Sequence, residues 1–188
     1  MIEAFFVALF FTFISEIADK TQLVILGLAL RYKAAFQVFL GALLAHSFMD
    51  GIAILLGYFF GFKFETDVIK ALIGFGFIVL GIYGLLKPYI KKAKKEKKEI
   101  QSRIPFAVSF LTVLVSEFGD KTQISSGLLA AKYLLPWHIF IGAFSALVLA
   151  IGLNVFIGAR IAKRLPVKTI KIATNVLFIF FGVISLLS

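Results

Sequence analysis

The 188-residue chain contains no cysteine, which removes disulfides, thiolate metal ligands and thiol nucleophiles together and leaves the redox compartment undetermined. Any metal site must therefore use oxygen, nitrogen or Met sulfur. Charged residues make up only 16% of the chain, and acidic ones number 10. No basic stretch precedes the first apolar run, MIEAFF, so the amino terminus reads as a retained span and not as a cleaved signal peptide. The apolar runs also lack the alternation that a membrane β-barrel wall requires. What remains is hydrophobic: 61% of residues, including 23 Phe, with a mean hydropathy of +1.01. That composition lies far outside the range of soluble globular domains and marks an integral membrane protein.

Six apolar segments are long enough to cross about 30 Å of hydrocarbon. They run from Ile2 to Leu30, Ala34 to Phe60, Val68 to Leu86, Ile104 to Ala131, Trp137 to Ala159 and Val167 to Leu187. The expected fold is an all-α membrane protein with six transmembrane helices. Between the third and fourth lies PYIKKAKKEKKEIQSRIP, a solvated basic connection that anchors topology.

Sliding the chain against itself by 101 residues aligns Ser15–Lys33 with Ser116–Leu134 at nine identical positions of 19, and the register continues without a gap. Gly41-Ala42 meets Gly142-Ala143, Gly51 meets Gly152, Gly57 meets Gly158, Lys70 meets Lys171 and Gly81 meets Gly182. The chain is therefore read as a three-helix repeat at 1–87, a cytoplasmic linker at 88–103 and a second three-helix repeat at 104–188. Three spans is an odd number, so the second repeat enters the membrane from the opposite side and the halves are inverted.

The formal charge of +10 does not point to nucleic acid, because its location follows the rule for membrane orientation. Fifteen of the 20 Lys and Arg lie in the three connections that face inward if the amino terminus is outside: Arg31 and Lys33; Lys87, Lys91, Lys92, Lys94, Lys95, Lys97, Lys98 and Arg103; Arg160, Lys163, Arg164, Lys168 and Lys171. Lys63, Lys70 and Lys132 fall outside. Both termini should be extracytoplasmic. With no organelle-targeting extension, the natural setting is a prokaryotic plasma membrane.

The repeat carries SEIADKTQ at Ser15–Gln22 and SEFGDKTQ at Ser116–Gln123, each near the middle of an apolar run. A charge near a bilayer centre costs about 2.5 to 3.5 kcal/mol on the lenient insertion scale, so such residues usually face a cavity and mark an ion path. On a continuous helix Ser15, Glu16, Asp19, Lys20 and Gln22 share an arc of about 160°, while Thr21 points elsewhere. Ser116, Glu117, Asp120, Lys121 and Gln123 repeat that face.

Glu16, Asp19, Glu117 and Asp120 against Lys20 and Lys121 sum to a formal charge of minus two, which a divalent cation neutralises. Carboxylate, amide and hydroxyl oxygens suit Ca²⁺, Mn²⁺ or Mg²⁺, and the reluctance of Mg²⁺ to dehydrate favours the first two. Protons could take the metal's place on mutually repelling carboxylates, which gives a route to exchange. The first span, about 43 Å as a straight helix, is longer than the hydrocarbon needs. Tilt accounts for the excess, or else a break near Ala18 and Gly119 that frees carbonyls as ligands.

Other residues have plainer readings beside these. The carboxylates could pair with Lys20 and Lys121 merely to fix helix packing. Gln22, Gln123, Ser15 and Ser116 could be ligands or interhelical glue. Thr21 and Thr122 could bond to their own helix backbone, although an unwound motif would change where they point. His46 and Asp50, spaced i to i+4, could form a proton relay, but their repeat equivalents are Leu147 and Ile151, and a feature of one half sits poorly in a symmetric site. Asn154, opposite Ala53, is likewise unmatched, and His138 beside Trp137 reads as interfacial.

At these residues the chain resembles the membrane cation transporters that carry ExGD[KR][ST] twice, once in each half of a six-span duplicated protein. The resemblance implies transport of calcium or manganese in exchange for protons, as in Golgi and chloroplast members, or manganese export, as in prokaryotic members, within the lysine-exporter superfamily. It puts the essential acidic positions at Glu16, Asp19, Glu117 and Asp120, followed by Lys20-Thr21 and Lys121-Thr122. EFGDKT fits throughout, whereas EIADKT has Ala18 where Gly is expected. The expectation is a secondary transporter, not an enzyme, whose partners are a divalent ion, protons and the bilayer, with no cofactor beyond the transported ion. The alternatives are an intramembrane aspartyl protease using Asp19 and Asp120, a passive cation channel, or an amino-acid exporter.

Overall fold

A computed structural model describes residues 1–17, 19–63, 66–86, 104–157 and 167–187. The basic linker at 88–103, Ala18 and the inward cluster Arg160, Lys163 and Arg164 lie outside the described residues. The described chain is all-α, with no strand. Helices α1 (Ile2–Ile17) and α2 (Lys20–Tyr32) are followed by α3 (Ala35–Lys63) and α4 (Thr66–Leu86). Then come α5 (Pro105–Glu117), α6 (Lys121–Tyr133), α7 (Pro136–Gly152) and, after a π-helical turn at Leu153–Ile157, α8 (Val167–Leu187).

The expected first and fourth spans are therefore not single helices. Each is broken inside its motif, α1 from α2 and α5 from α6, so the long first segment is two half-helices instead of one tilted rod. The backbone gives the reason. Asp19 and Asp120 adopt extended conformations (φ −78°, ψ 156° and φ −71°, ψ 162°) and act as N-caps of the second half-helices, and Gly119 turns at φ +72°. Extended backbone cannot continue an α-helix, and a left-handed residue ends one.

Packing partners are exchanged between the two sequence halves. Helix α1 lies on α7, α3 lies on α5 and α6, and α4 lies on α8. The close contacts come in pairs related by 101 residues. A Cβ on Gly41 would strike the Phe106 carbonyl and the Ser109 side chain, and one on Gly142 would strike the Phe5 carbonyl and Ala8. Gly81 meets the Asn175 carbonyl and Ile179, while Gly182 meets the Gly74 carbonyl and Ile78. The left-handed residues that close α2 and α6, Lys33 (φ 51°) and Leu134 (φ 53°), are another such pair.

Two apolar clusters fill the interior. One gathers Ala4, Ala8, Phe11, Ile54, Phe77, Leu129, Ile139 and Phe178, with Phe11 and Phe178 stacked at 5.5 Å between centroids. The other gathers Ile25, Leu28, Val38, Ala42, Val108, Val113, Leu147 and Ile151. The buried titratable residues fall between the clusters in sequence. Glu16 lies between Phe11 and Ile25, His46 and Asp50 between Ala45 and Ile54, and Glu117 between Val113 and Leu129. The outer surface is apolar on every helix, with Phe6, Leu23, Phe59, Phe75, Val115, Ile124, Trp137 and Phe180 exposed. Ala35–Lys63 and Pro136–Phe156 are each long and apolar enough to cross a membrane.

Candidate metal centre

The helix breaks decide where the motif side chains go. Glu16 lies in the last turn of α1 and Glu117 ends α5, and their carbonyls accept the Asp19 and Asp120 amides at 3.0 Å, a single tight turn before each second half-helix begins. Glu16 is fully buried and Glu117 nearly so. Asp19 and Asp120 are only partly buried. The Asp19 carboxylate accepts the Thr21 amide at 2.9 Å, whereas Asp120 makes no such cap and instead lies 3.5 Å from the Thr122 hydroxyl.

The break also resets the helical phase, which corrects the reading of Thr122. Beyond its long contact to Asp120, the cap of its own helix, Thr122 reaches across the site. Its hydroxyl donates to Glu16 Oε1 at 2.7 Å, from one motif to the other. Thr21, its counterpart, is also buried. The glutamines, similar in sequence, differ in use. Gln22 donates to Glu16 Oε2 at 3.3 Å, while Gln123 staples the second break by donating to the Glu117 carbonyl at 2.6 Å and accepting the Gly119 amide at 3.1 Å. Ser15 is buried, but Ser116 is exposed and stands away from the buried layer. Lys121 is half-buried and forms no ion pair with a motif carboxylate among the described residues. The Lys20 side chain lies outside the described portion, so the counter-charge assigned to it does too.

One residue that symmetry argued against is at the centre. His46 Nε2 lies 4.0 Å from Glu16 Oε2, and one ligating atom from each of Glu16, His46 and Glu117 falls within 4.8 Å of the others. Its place in mid-span, four residues from an acid, was the signal available in the sequence, and the missing counterpart in the other half hid it. Asp50, one turn along α3, is also buried, and no hydrogen bond joins it to His46 among the described residues. Asn154, unmatched in the repeat, donates from Nδ2 to the Gln22 carbonyl and ties the π-helical turn to the first turn of α2. Among the described residues, four polar atoms in and around this layer are buried without a hydrogen-bond partner: Ser15 Oγ, Gln22 Oε1, His46 Nε2 and Asp50 Oδ2. Buried polar atoms are normally paired, so this cluster of orphans beside two carboxylates is the candidate place for a ligand.

Comparison with known proteins follows the same residues. The family described as "Divalent cation/proton antiporter GDT1" matches residues 4–92 and 105–188. A protein of Vibrio cholerae named "Putative manganese exporter" is 30% identical over 171 residues, 90% of this chain and 83% of that one. A GDT1-like protein of Synechocystis is 27% identical over 203 residues, covering 98% of this chain and 97% of its own length. The Saccharomyces cerevisiae "Divalent cation/proton antiporter GDT1" is 35% identical over 75 residues, 39% of this chain and 26% of the yeast protein. No solved structure matches. A match that takes in both halves, both motifs and both broken helices, and leaves out residues 1–3 and most of the basic connection, decides the matter: the chain belongs to the GDT1 family of divalent cation/proton antiporters, which are membrane transporters and not enzymes.

Proposed function

We propose that this chain exports Mn²⁺ or Ca²⁺ from the cytoplasm in exchange for protons, by alternating access about the Glu16–Glu117 layer. In this reading the chain spans the membrane six times as two inverted three-helix repeats, 1–87 and 104–188, joined by the basic linker 88–103. Both termini are extracytoplasmic, in a prokaryotic plasma membrane. The contacts paired at 101 residues support the inverted arrangement, since reciprocal contacts are what a two-fold relation between halves produces.

The observation that carries the function is that carboxylates from the two motifs, with ligating atoms within 4.8 Å and buried, stand among unpartnered polar atoms. Uncompensated buried charge is strongly unfavourable, so the layer calls for a cation or for protons, and exchange of one for the other follows from competition for the same oxygens. Asp19 and Asp120 stand at the mouths of the half-helices and complete the acidic set. Nothing favours the protease alternative, because the family is one of transporters and not enzymes.

Reconstitution with Mn²⁺, Ca²⁺ and Mg²⁺ supplied separately, with internal pH recorded, tests the reading. Mn²⁺ or Ca²⁺ flux should move protons the other way, and an imposed pH gradient should drive the ion uphill. Glu16→Gln and Glu117→Gln should each cut flux by about tenfold or more, the scale of losing a charged buried ligand. Flux that ignores the pH gradient would leave a channel, and wild-type flux in both variants would remove the site.

A further inference from the structure

We propose that His46 is a metal ligand supplied from outside the repeated motif, and that its imidazole nitrogen turns the site towards Mn²⁺ and away from Ca²⁺ and Mg²⁺. The inference rests on the acidic layer being the cation site. It adds a donor that neither motif contains.

His46 is 3% exposed, and its Nε2 has no hydrogen-bond partner. A histidine kept in a core only for packing satisfies its ring nitrogens with a carbonyl or hydroxyl. Here the nitrogen faces Glu16 Oε2 at 4.0 Å, too far for a hydrogen bond. That separation suits two ligands of one ion. With bonds of about 2.1 Å, two donors stand about 3.0 Å apart at right angles and about 4.2 Å apart when opposite. The Glu117 carboxylate completes a group within 4.8 Å, so modest side-chain rotation brings all three onto a common ion.

Size alone does not choose the ion, because a Ca²⁺ site spans a similar gap. Donor type does. Ca²⁺ and Mg²⁺ take oxygen, whereas an imidazole raises affinity for first-row transition ions. Two carboxylates and one nitrogen form a mixed set that Mn²⁺ accepts and Ca²⁺ has no use for. The counterpart position holds Leu147, fully buried in the second apolar cluster, so the nitrogen enters from one half alone.

The test uses the full chain in lipid nanodiscs. Mn²⁺ bound to the wild type should show ¹⁴N modulation in pulsed paramagnetic resonance. His46→Gln and His46→Asn should lose it, and His138→Gln should keep it. In competition binding, His46→Gln should lower the Mn²⁺ to Ca²⁺ affinity ratio by about tenfold or more, since even outer-shell partners of metal ligands are worth 10 to 100-fold. Retained Ca²⁺ binding shows that the variants fold. Mn²⁺ bound without ¹⁴N coupling in the wild type, or an unchanged ratio in both variants, overturns the role of His46 while leaving the acidic site intact. If neither ion's binding responds to Glu16→Gln or Glu117→Gln, the site itself is lost and the inference with it.

Discussion

At the scale of single residues, the chemistry turns on which side chains cross from one motif to the other. Thr122 does so most directly, with its hydroxyl on Glu16. Removing that donor leaves a buried carboxylate oxygen short of a partner, a loss of about 1.5 to 3 kcal/mol for a hydrogen bond to a charged group. Thr122→Val should therefore weaken Mn²⁺ binding and flux by roughly tenfold or more, and Thr122→Ser should restore most of it, as read by equilibrium binding and proteoliposome uptake. The four motif carboxylates were legible in the sequence because charge in an apolar run announces itself. The direction of Thr122 was not, because a helical face follows from an unbroken helix and the break rotates everything after it. His46 was discounted on symmetry, a rule that governs the backbone here better than it governs the side chains.

At the scale of elements, the two breaks are built differently. The second uses Gly119 at φ +72° and the Gln123 staple, and the first uses Asp19 as a side-chain cap. A Cβ at Gly119 meets nothing within 4 Å, so a substitution there acts through backbone conformation alone. The left-handed region disfavours alanine by about 1 to 2 kcal/mol and tolerates asparagine better. Gly119→Ala should lower thermal stability in detergent by about that amount, and Gly119→Asn by less. Equal loss in both would point to a cause other than φ. From the sequence, tilt was the simpler explanation of an over-long segment and a break the other. Length alone cannot separate them, because both shorten the projection of a helix on the membrane normal.

At the scale of the whole molecule, the 101-residue register was readable before any coordinates, and it recurs as paired contacts. Gly41 and Gly142 each lie against a carbonyl and a small side chain of the other half. Gly41→Val and Gly142→Val should destabilise by similar amounts, on the order of 1 to 3 kcal/mol as for overpacked cores, measured by thermal unfolding. A large loss at one position with none at the other would refute the equivalence. What the register could not say is who packs with whom. A repeat reads the same whether each half folds on itself or trades helices with its twin.

That trade has a consequence for how the chain is made. Helix α1 closes on α7, α3 on α5 and α4 on α8, so the principal neighbours of the first three segments have not yet been synthesised when those segments leave the ribosome. The first half must wait in the bilayer with its glycine faces bare. The partners then arrive in the order α5, α7, α8, and each one docks on a helix already in place. Assembly is thus a late event that depends on the second half, with long-range contacts and the slow search that such contacts impose.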